Sequence, residues 1–249
     1  MSARFQLIFA LFAILVAFQE NTNAQSKADE GAQTLSARQR SIVAISALTA
    51  QGELAGLEKA LGSGLNAGLT VNEIKESLVQ LYAYCGFPRS LNAINTFIKV
   101  LEKREKIGVR DEVGRSATPI RSAGNKYERG KRVLETLTGR REPEQKTGAA
   151  AFSPELDAFL KEHLFADIFE RDVLSYAERE IVTIAALASL GNVEPQLESH
   201  LNVGLNVGLT QRQLEELMTA IENSVGKKEA AAGRRILKRV VTNRNNETR

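Results

Sequence analysis

The chain carries the same sequence pattern twice, about 140 residues apart. "KALGSGLNAGLT" begins at Lys59 and "SHLNVGLNVGLT" begins at Ser199, and the two stretches share their Leu, Asn, Gly and Thr positions. The match extends upstream, because the segment from Leu35 to Leu54 aligns with the segment from Leu174 to Val193. Solenoid repeats span only about 20 to 50 residues. The sequence therefore predicts a tandem duplication of a whole domain.

Both copies have the pattern of helices. Apolar residues of the second copy recur at three and four positions, namely Ile181, Ile184, Ala185, Leu187 and Ala188. This spacing indicates one buried helical face, and strand-like alternation is absent. In "LNxGLT" the glycine suits a left-handed cap and the threonine suits a helix N-cap. Gly86-Phe87-Pro88 breaks a further helix of the first copy. We predict an all-α fold with about four helices in each copy.

The N-terminal segment has the composition of an export signal. Arg4 precedes an almost wholly apolar run from Phe5 to Phe18, and Thr22-Asn23-Ala24 provides a small-residue cleavage site. The run is shorter than the roughly 20 residues that span a bilayer. We expect a periplasmic or secreted protein that begins near Gln25 and contacts no membrane apart from this signal. An uncleaved amphiphilic anchor is the alternative.

Composition changes along the chain indicate where its parts begin and end. Residues 107–124 are rich in Gly, Arg and Ser and are typical of a linker, and two further short helices are expected over Asn125 to Gly139 and Pro154 to Phe165, with a loop between them. The predicted organisation is a signal peptide over 1–24, a first domain over 25–106, a linker over 107–124 and a second domain over 125–249.

Charge and cysteine content argue against several classes of protein. A formal net charge of +3 is too small to indicate a nucleic-acid partner. The single cysteine, Cys85, cannot form an intramolecular disulfide. The two histidines, His163 and His200, have no dense acidic or cysteine cluster beside them, so we predict no metal site and no cofactor.

Several motifs resemble those of the carboxymuconolactone decarboxylase family, which also includes the alkylhydroperoxidase D-like thiol enzymes. "KYERG" from Lys126, "LSYAEREIVTIAALASLG" from Leu174 and "LESHLNVGLNVGLT" from Leu197 occur in family order, and "YCGFPRSLNA" from Tyr84 resembles the family's turn motif. The resemblance implies small all-helical domains and a homo-oligomer. For a two-domain chain we expect a trimer that mimics the hexamer of single-copy members.

The resemblance separates the two branches of the family. The thiol branch uses a glutamate, a Cys-x-x-Cys pair and a histidine. His200 resembles the relay histidine and Glu180 lies at or beside the glutamate position, but Val193 and Gln196 occupy the two cysteine positions. Cys85 lies in a different helix. Peroxiredoxin-like or alkylhydroperoxidase antioxidant activity is therefore a disfavoured alternative.

The resemblance and the residue chemistry together predict one composite site. His200 and Glu180 are the expected catalytic acid/base pair, because imidazole titrates near neutral pH. Substrate binding is assigned to Arg179, Tyr84, Cys85, Gly86, Phe87 and Pro88. The second copy keeps the histidine, whereas the first copy keeps the turn from Tyr84 to Pro88. We therefore expect the site to form where the two copies meet.

The predicted function is cofactor-free acid/base decarboxylation or isomerisation of a small carboxylated lactone or keto acid. The main alternative from another class is a secreted, non-catalytic, oligomeric binding protein. Simple structural roles are the alternative for single residues: Arg179 and Glu180 as ordinary ion-pair residues, and Tyr84 and Phe87 as core aromatics.

Overall fold

A computed structural model describes residues 34–120 and 124–247, and the regular structure in these ranges is helical. The first copy contains α1 (Ala37–Gln51), α2 (Leu54–Asn66) and α3 (Val71–Lys106). The second copy contains α7 (Tyr176–Leu190), α8 (Glu194–Asn206), α9 (Gln211–Ser224) and α10 (Lys227–Glu247). The predicted all-α tandem is confirmed. The predicted signal peptide lies outside the described residues, and within them no helix has the length and apolar character needed to cross a bilayer.

Additional helices lie between the two copies. They are α4 (Lys126–Thr138), α5 (Gly148–Phe152), α6 (Pro154–Ala158) and a π-helical stretch, Phe159–Phe169, called the π segment below. The two predicted helices are present, but part of the predicted loop forms α5. Three consecutive alanines favour that short helix, and Ser153 followed by Pro154 ends it and starts the next one.

The repeated "LNxGLT" motif forms the same turn twice. Gly68 and Gly208 have φ values of 88° and 100°, in the left-handed region that glycine adopts readily. Thr70 then caps α3 and Thr210 caps α9, each in a reciprocal capping box with the residue three positions later. The interpretation of this motif as a helix boundary is confirmed.

The predicted break in the first copy lies inside α3. Gly86 has φ 82° and ψ 158°, which interrupts the helix, and Pro88 follows in the next helical turn. The break divides α3 into a first part over 71–85 and a second part over 87–106. Tyr84 is at the end of the first part, so the break determines where its ring lies.

The two copies share one hydrophobic core. Helix α1 packs along α7, and α3 and α9 each contact the other copy's central helix. Ile42 and Ile45 of α1 belong to the same buried cluster as Ile181 and Ile184 of α7. A second, smaller cluster joins α4, the π segment and α8. Tyr82 and Tyr84 pack against this second cluster, so the additional helices cover the side of the first copy that faces α8.

A set of polar side chains also joins the copies, and we call it the inter-copy bridge: the buried Glu76, Gln80, Arg179 and Thr183, with the partly exposed Arg171. The Glu76 carboxylate accepts bonds from Arg171 at 2.8 and 2.5 Å, and Arg179 Nη2 lies 3.6 Å away. Burial opposes ionisation of Glu76, but the two arginines outweigh it, so the pKa of this carboxyl lies below its ordinary value. The bridge therefore contains a charged, buried carboxylate.

Glu76→Ala is expected to destabilise the fold strongly. The substitution leaves the buried Arg179 guanidinium without its carboxylate, and breaking such a pair typically costs about 3 kcal/mol or more. The measurement is urea denaturation at neutral pH, in which the midpoint should fall without a change in the slope.

Glu58→Ala is the matched control, because the Glu58–Lys103 pair is exposed, and it should change the midpoint little.

The contribution of Glu76 to stability should depend on pH in one direction. Because the pKa of folded Glu76 lies below 4.5, its contribution is complete above that pH and is lost as the pH falls through the folded value. The difference in the free energy of unfolding between wild type and Glu76→Ala should therefore become smaller at acidic pH. A gap that stays constant down to about pH 3 would contradict a charged Glu76.

Candidate functional site

His200 and Glu180 form a hydrogen-bonded pair in the second copy. His200 lies on α8 and Glu180 on α7, and His200 Nδ1 is 2.8 Å from Glu180 Oε2. The glutamate is fully buried, whereas the His200 side chain keeps 17% of its surface exposed. Because a carboxylate only accepts, Nδ1 carries the proton and Nε2 carries the lone pair in the neutral ring. Nε2 makes no hydrogen bond to any residue that the structure describes.

Tyr84 reaches this pair from the first copy. Its ring meets the His200 ring edge-on, with the centroids 5.5 Å apart and the planes at 81°. Helix α3 crosses α7 here, and the break at Gly86 ends the helix immediately after this contact. The structure thus brings together His200, Glu180 and Tyr84 from both copies, called the trio below, and their chemical roles remain predictions.

Three buried polar atoms at this place lack a hydrogen-bond partner among the described residues: Tyr84 Oη, Glu180 Oε1 and Arg179 Nε. Thr183 lies near the Tyr84 hydroxyl but does not reach hydrogen-bond geometry with it. Burial raises the pKa of Tyr84 far above its ordinary value, and the charge of Glu180 adds to the effect. The hydroxyl therefore stays protonated and can donate. Buried polar groups rarely remain unpaired, so Tyr84 Oη and Glu180 Oε1 are candidate contacts for a bound molecule.

The duplicated chain contains this constellation once. In the alignment of the two copies, Ala60 occupies the position of His200, Ser41 that of Glu180 and Ser224 that of Tyr84. None of these three replacements titrates near neutral pH. The acid/base groups are therefore confined to one of the two pseudo-equivalent positions.

Arg179 lies in a different environment from the one its predicted role requires. Its guanidinium is fully buried, and it donates to Gln80 Oε1 at 2.9 Å and to the carbonyl of Arg171 at 2.6 Å. Burial lowers the pKa of Arg179, and Glu76 partly restores it. A substrate carboxylate would have to displace these buried partners. The placement fits a structural role in the inter-copy bridge better than the predicted substrate binding.

The remaining residues of the predicted turn lie at the edge of the trio. Cys85 Sγ donates to the carbonyl of Leu81 at 3.1 Å, and burial raises the pKa of this thiol to about 11, although Arg89 opposes the shift. Phe87 is largely exposed and stacks on Tyr82 with centroids 4.4 Å apart. Gly86 and Pro88 are exposed as well. Of the turn, Tyr84 is the residue that contacts His200.

Sequence reasoning missed the residues that position the trio. Gln80 is fully buried and donates to the Arg179 carbonyl at 2.8 Å and to Thr183 Oγ1 at 2.9 Å. The corresponding residue of the second copy is Ala220. The sequence does contain a signal for this residue, because Gln80 is polar where the other copy is apolar. A position-by-position comparison of the two copies would have found it.

Two surface grooves are present that do not include the trio. One of about 820 Å³ lies between α8, α10 and the end of α4, and one of about 450 Å³ lies between α9 and α10. Neither is lined by His200, Glu180 or Tyr84. Within residues 34–120 and 124–247, no group of three or more His, Cys, Asp or Glu side chains is arranged to hold a metal ion.

Tyr84→Phe is expected to leave stability unchanged, or to raise the free energy of unfolding by up to about 1 kcal/mol. The reason is that removing an unpaired buried hydroxyl removes a desolvation cost without breaking a bond. Tyr127→Phe is the matched control, because the Tyr127 hydroxyl bonds Asp157 and Lys146, each at 2.6 Å. It should lose about 1 to 3 kcal/mol in the same urea titration. Equal losses in both variants would show that the Tyr84 hydroxyl has a structural partner.

The ring of His200 is expected to carry its proton on Nδ1 when it is neutral, and Glu180→Ala should remove that preference. The measurement is nitrogen NMR of histidine-labelled protein. The chain has two histidines, so His163→Gln assigns the signals. A neutral His200 protonated on Nε2 in the wild type would contradict the geometry of the pair.

Comparison with known proteins agrees with the duplication. The model of the carboxymuconolactone decarboxylase family matches residues 15–98 and, separately, residues 154–239. The first match contains Tyr84, and the second contains Glu180 and His200. No curated protein matches the chain. Because the two family matches together cover more than half of its length, the chain belongs to the carboxymuconolactone decarboxylase family, in a tandem two-copy form.

Proposed function

We propose that this protein is a cofactor-free enzyme that decarboxylates or isomerises a small carboxylated lactone or keto acid. The observation that carries the proposal is the 2.8 Å contact between His200 and the buried Glu180, with Tyr84 of the other copy against the imidazole. These three groups supply a proton carrier, a charge that stabilises its protonated form, and a hydrogen-bond donor.

Each group has one task in the proposed decarboxylation. The bond between the substrate carbon and its carboxylate breaks, carbon dioxide leaves, and the electron pair moves through the adjacent unsaturation to a carbonyl oxygen. The protonated Tyr84 hydroxyl donates to that oxygen as negative charge develops. His200, charged at this point and held by Glu180, then delivers the Nε2 proton to carbon and regains one from solvent. For isomerisation, neutral Nε2 removes a proton from one carbon and returns it to another.

The surroundings of the trio favour loss of carbon dioxide. Tyr84 packs against the apolar cluster of α4, the π segment and α8, which includes Phe165 and Val203. A carboxylate that leaves water for such a place loses its hydration, whereas the developing enolate meets a fixed donor. Glu180 repels a nearby carboxylate, so we expect the substrate acid to lie on the His200 side of the trio.

The other functions considered have less support. A thiol with a pKa of about 11 is protonated at neutral pH, so Cys85 is a poor nucleophile for peroxide. A purely binding protein does not require an imidazole held by a fully buried carboxylate. No observation favours either function over acid/base catalysis.

The test is a thermal-shift screen of small lactones, keto acids and dicarboxylates, followed by assays of carbon dioxide release for every acid that binds. We expect a ligand that stabilises wild type by several degrees and whose turnover falls about 100-fold or more in His200→Ala. Tyr84→Phe should also lose turnover while keeping its stability.

His163→Ala is the matched control, because the His163 side chain is 53% exposed and pairs with Asp167 rather than with His200, Glu180 or Tyr84, and it should match wild type in both assays. Binding and turnover that survive His200→Ala would contradict the proposed site. Stabilisation by none of the acids would contradict the proposed substrate class.

A further inference from the structure

The motif "KYERG", from Lys126 to Gly130, has no part in the proposed reaction, yet four of its five residues contact the π segment or the residues that flank it. Three of its side chains each bind an acidic residue there: Lys126 binds Asp167 at 2.8 Å, Tyr127 donates to Asp157 at 2.6 Å, and Arg129 binds Glu170 at 3.0 Å. The Arg129 contact is the most protected of these, because its side chain is only 8% exposed. The motif therefore fastens α4 to the π segment.

Gly130 sets how closely α4 and the π segment approach each other. A Cβ atom at this position would lie 1.8 Å from the carbonyl oxygen of Lys161 and 2.5 Å from its carbonyl carbon. Both are backbone atoms, so a side chain at residue 130 would push the π segment away from α4. Lys161 is itself held in place, because its buried ammonium binds Asp157 and Glu142. The two helices therefore form one unit with a defined spacing.

The helices from Lys126 to Phe169, called the cap below, have a hydrophobic cluster of their own. Six of the seven buried members of this cluster belong to the cap, and the seventh, Val203, lies on α8. Backbone contact between the cap and the two copies is concentrated where α4 meets α8. The cap is therefore more closely packed within itself than against the shared core of the two copies.

The cap closes the candidate site. Tyr84 packs against both the cap cluster and the His200 ring. The ring of Phe169, at the end of the cap, lies 5.9 Å from the guanidinium of Arg179. Tyr84 Oη and Glu180 Oε1 are buried, so a small molecule can reach them only if a neighbouring element moves. Helices α3 and α7 are joined by the inter-copy bridge and the shared core, which leaves the cap as the neighbour that can move with the smallest loss of buried contacts.

The connection between the cap and α7 has a boundary where such a movement can begin. Residues 170–175 form turns and bends rather than a helix. Within this connection Arg171 is anchored to Glu76 of the inter-copy bridge, whereas Glu170, one residue earlier, is bound to Arg129 of the cap. The division between the fixed and the movable part therefore falls between Glu170 and Arg171.

We propose that the cap opens as a unit to admit a small molecule to the trio, and that the "KYERG" residues set how firmly it is closed. Arg129 and Gly130 are then positioning residues, because they act on the trio through the π segment and do not contact it. The proposal rests on the trio being the functional site of the proposed function. Its tests measure opening rather than turnover, so their outcome is separate from that of the substrate screen.

The first experiment measures cap opening by thiol labelling of the complete chain under native conditions. In a Cys85→Ser background, Val203→Cys places a thiol under the cap and Val43→Cys places one in the shared core, where both valines are buried. Adding Gly130→Ala should accelerate labelling at Val203→Cys by about tenfold or more and leave Val43→Cys unchanged, because a local opening does not require global unfolding. Gly62→Ala is the matched control, because a Cβ atom there meets no atom within 4 Å, and it should change neither rate.

Glu170→Gln provides a second, milder way to loosen the cap. It removes the charge that Arg129 binds and introduces no steric conflict, so it should accelerate labelling at Val203→Cys in the same direction. Rates at Val203→Cys that neither Gly130→Ala nor Glu170→Gln changes would overturn the proposal. Equal acceleration at Val203→Cys and Val43→Cys in both variants would also overturn it, because the cap would then open only when the whole chain unfolds.

The second experiment asks whether opening the cap exposes the trio, which a purely structural role of the motif would not do. Nitration of tyrosine by tetranitromethane is measured in the Cys85→Ser background, and fragment mass spectrometry separates Tyr84 from Tyr82. The buried Tyr84 should react slowly with the motif intact and about tenfold faster or more in Gly130→Ala and Glu170→Gln. A nitration rate of Tyr84 that stays unchanged while labelling at Val203→Cys accelerates would overturn the proposal, because the cap would then open without uncovering the trio.

Discussion

The candidate site depends on the hydrogen bonds that Gln80 makes across the contact between the two copies. Its amide donates to the Arg179 carbonyl and to Thr183, and accepts from the Arg179 side chain. Gln80 lies one turn before Tyr84 on α3, and Arg179 directly precedes Glu180 on α7. These bonds therefore hold Tyr84 and Glu180 at a fixed separation. Because the amide is fully buried, moving either helix would leave polar groups unpaired, which makes the arrangement rigid.

Duplication allows this arrangement to be built once. The positions aligned with Gln80, Glu180 and His200 hold Ala220, Ser41 and Ala60. Burying a carboxylate and an amide costs free energy unless each is hydrogen-bonded. A second set of these polar groups at the equivalent position would therefore lower stability without a matching gain in packing. In a symmetric pair of single-domain chains the two sites would have to be identical. Within one chain, one interface position keeps its polar groups while the other is free to become small and apolar.

The parts of the fold that sequence reasoning predicted are those set by local chemistry. Gly68 and Thr70 determine a turn through their own backbone preferences, and Gly86 breaks a helix in the same way. The meeting of His200 with Tyr84 was accessible because each copy lacks what the other keeps. The burial of Arg179 was not accessible, because its partner Glu76 lies far away along the chain and the residue type suits either a ligand or an ion pair. The π-helical geometry of the π segment was not predicted either, because apolar spacing over so short a stretch does not distinguish it from an α-helix.

Buried polar atoms without a hydrogen-bond partner occur at more than one place among the described residues. The type of each group indicates whether it belongs to a candidate site or to ordinary helix packing. Ser46, Thr49 and Ser189 also have unpaired buried hydroxyls, but they lie on helices, where a small rotation lets a hydroxyl bond the carbonyl four residues earlier. Tyr84 Oη and Glu180 Oε1 have no such option, because a long phenol and a carboxylate oxygen cannot donate to or accept from their own helix in that way. Their unpaired state persists only if the surrounding packing holds them in place. The inter-copy bridge supplies that constraint, and it holds these two atoms beside His200.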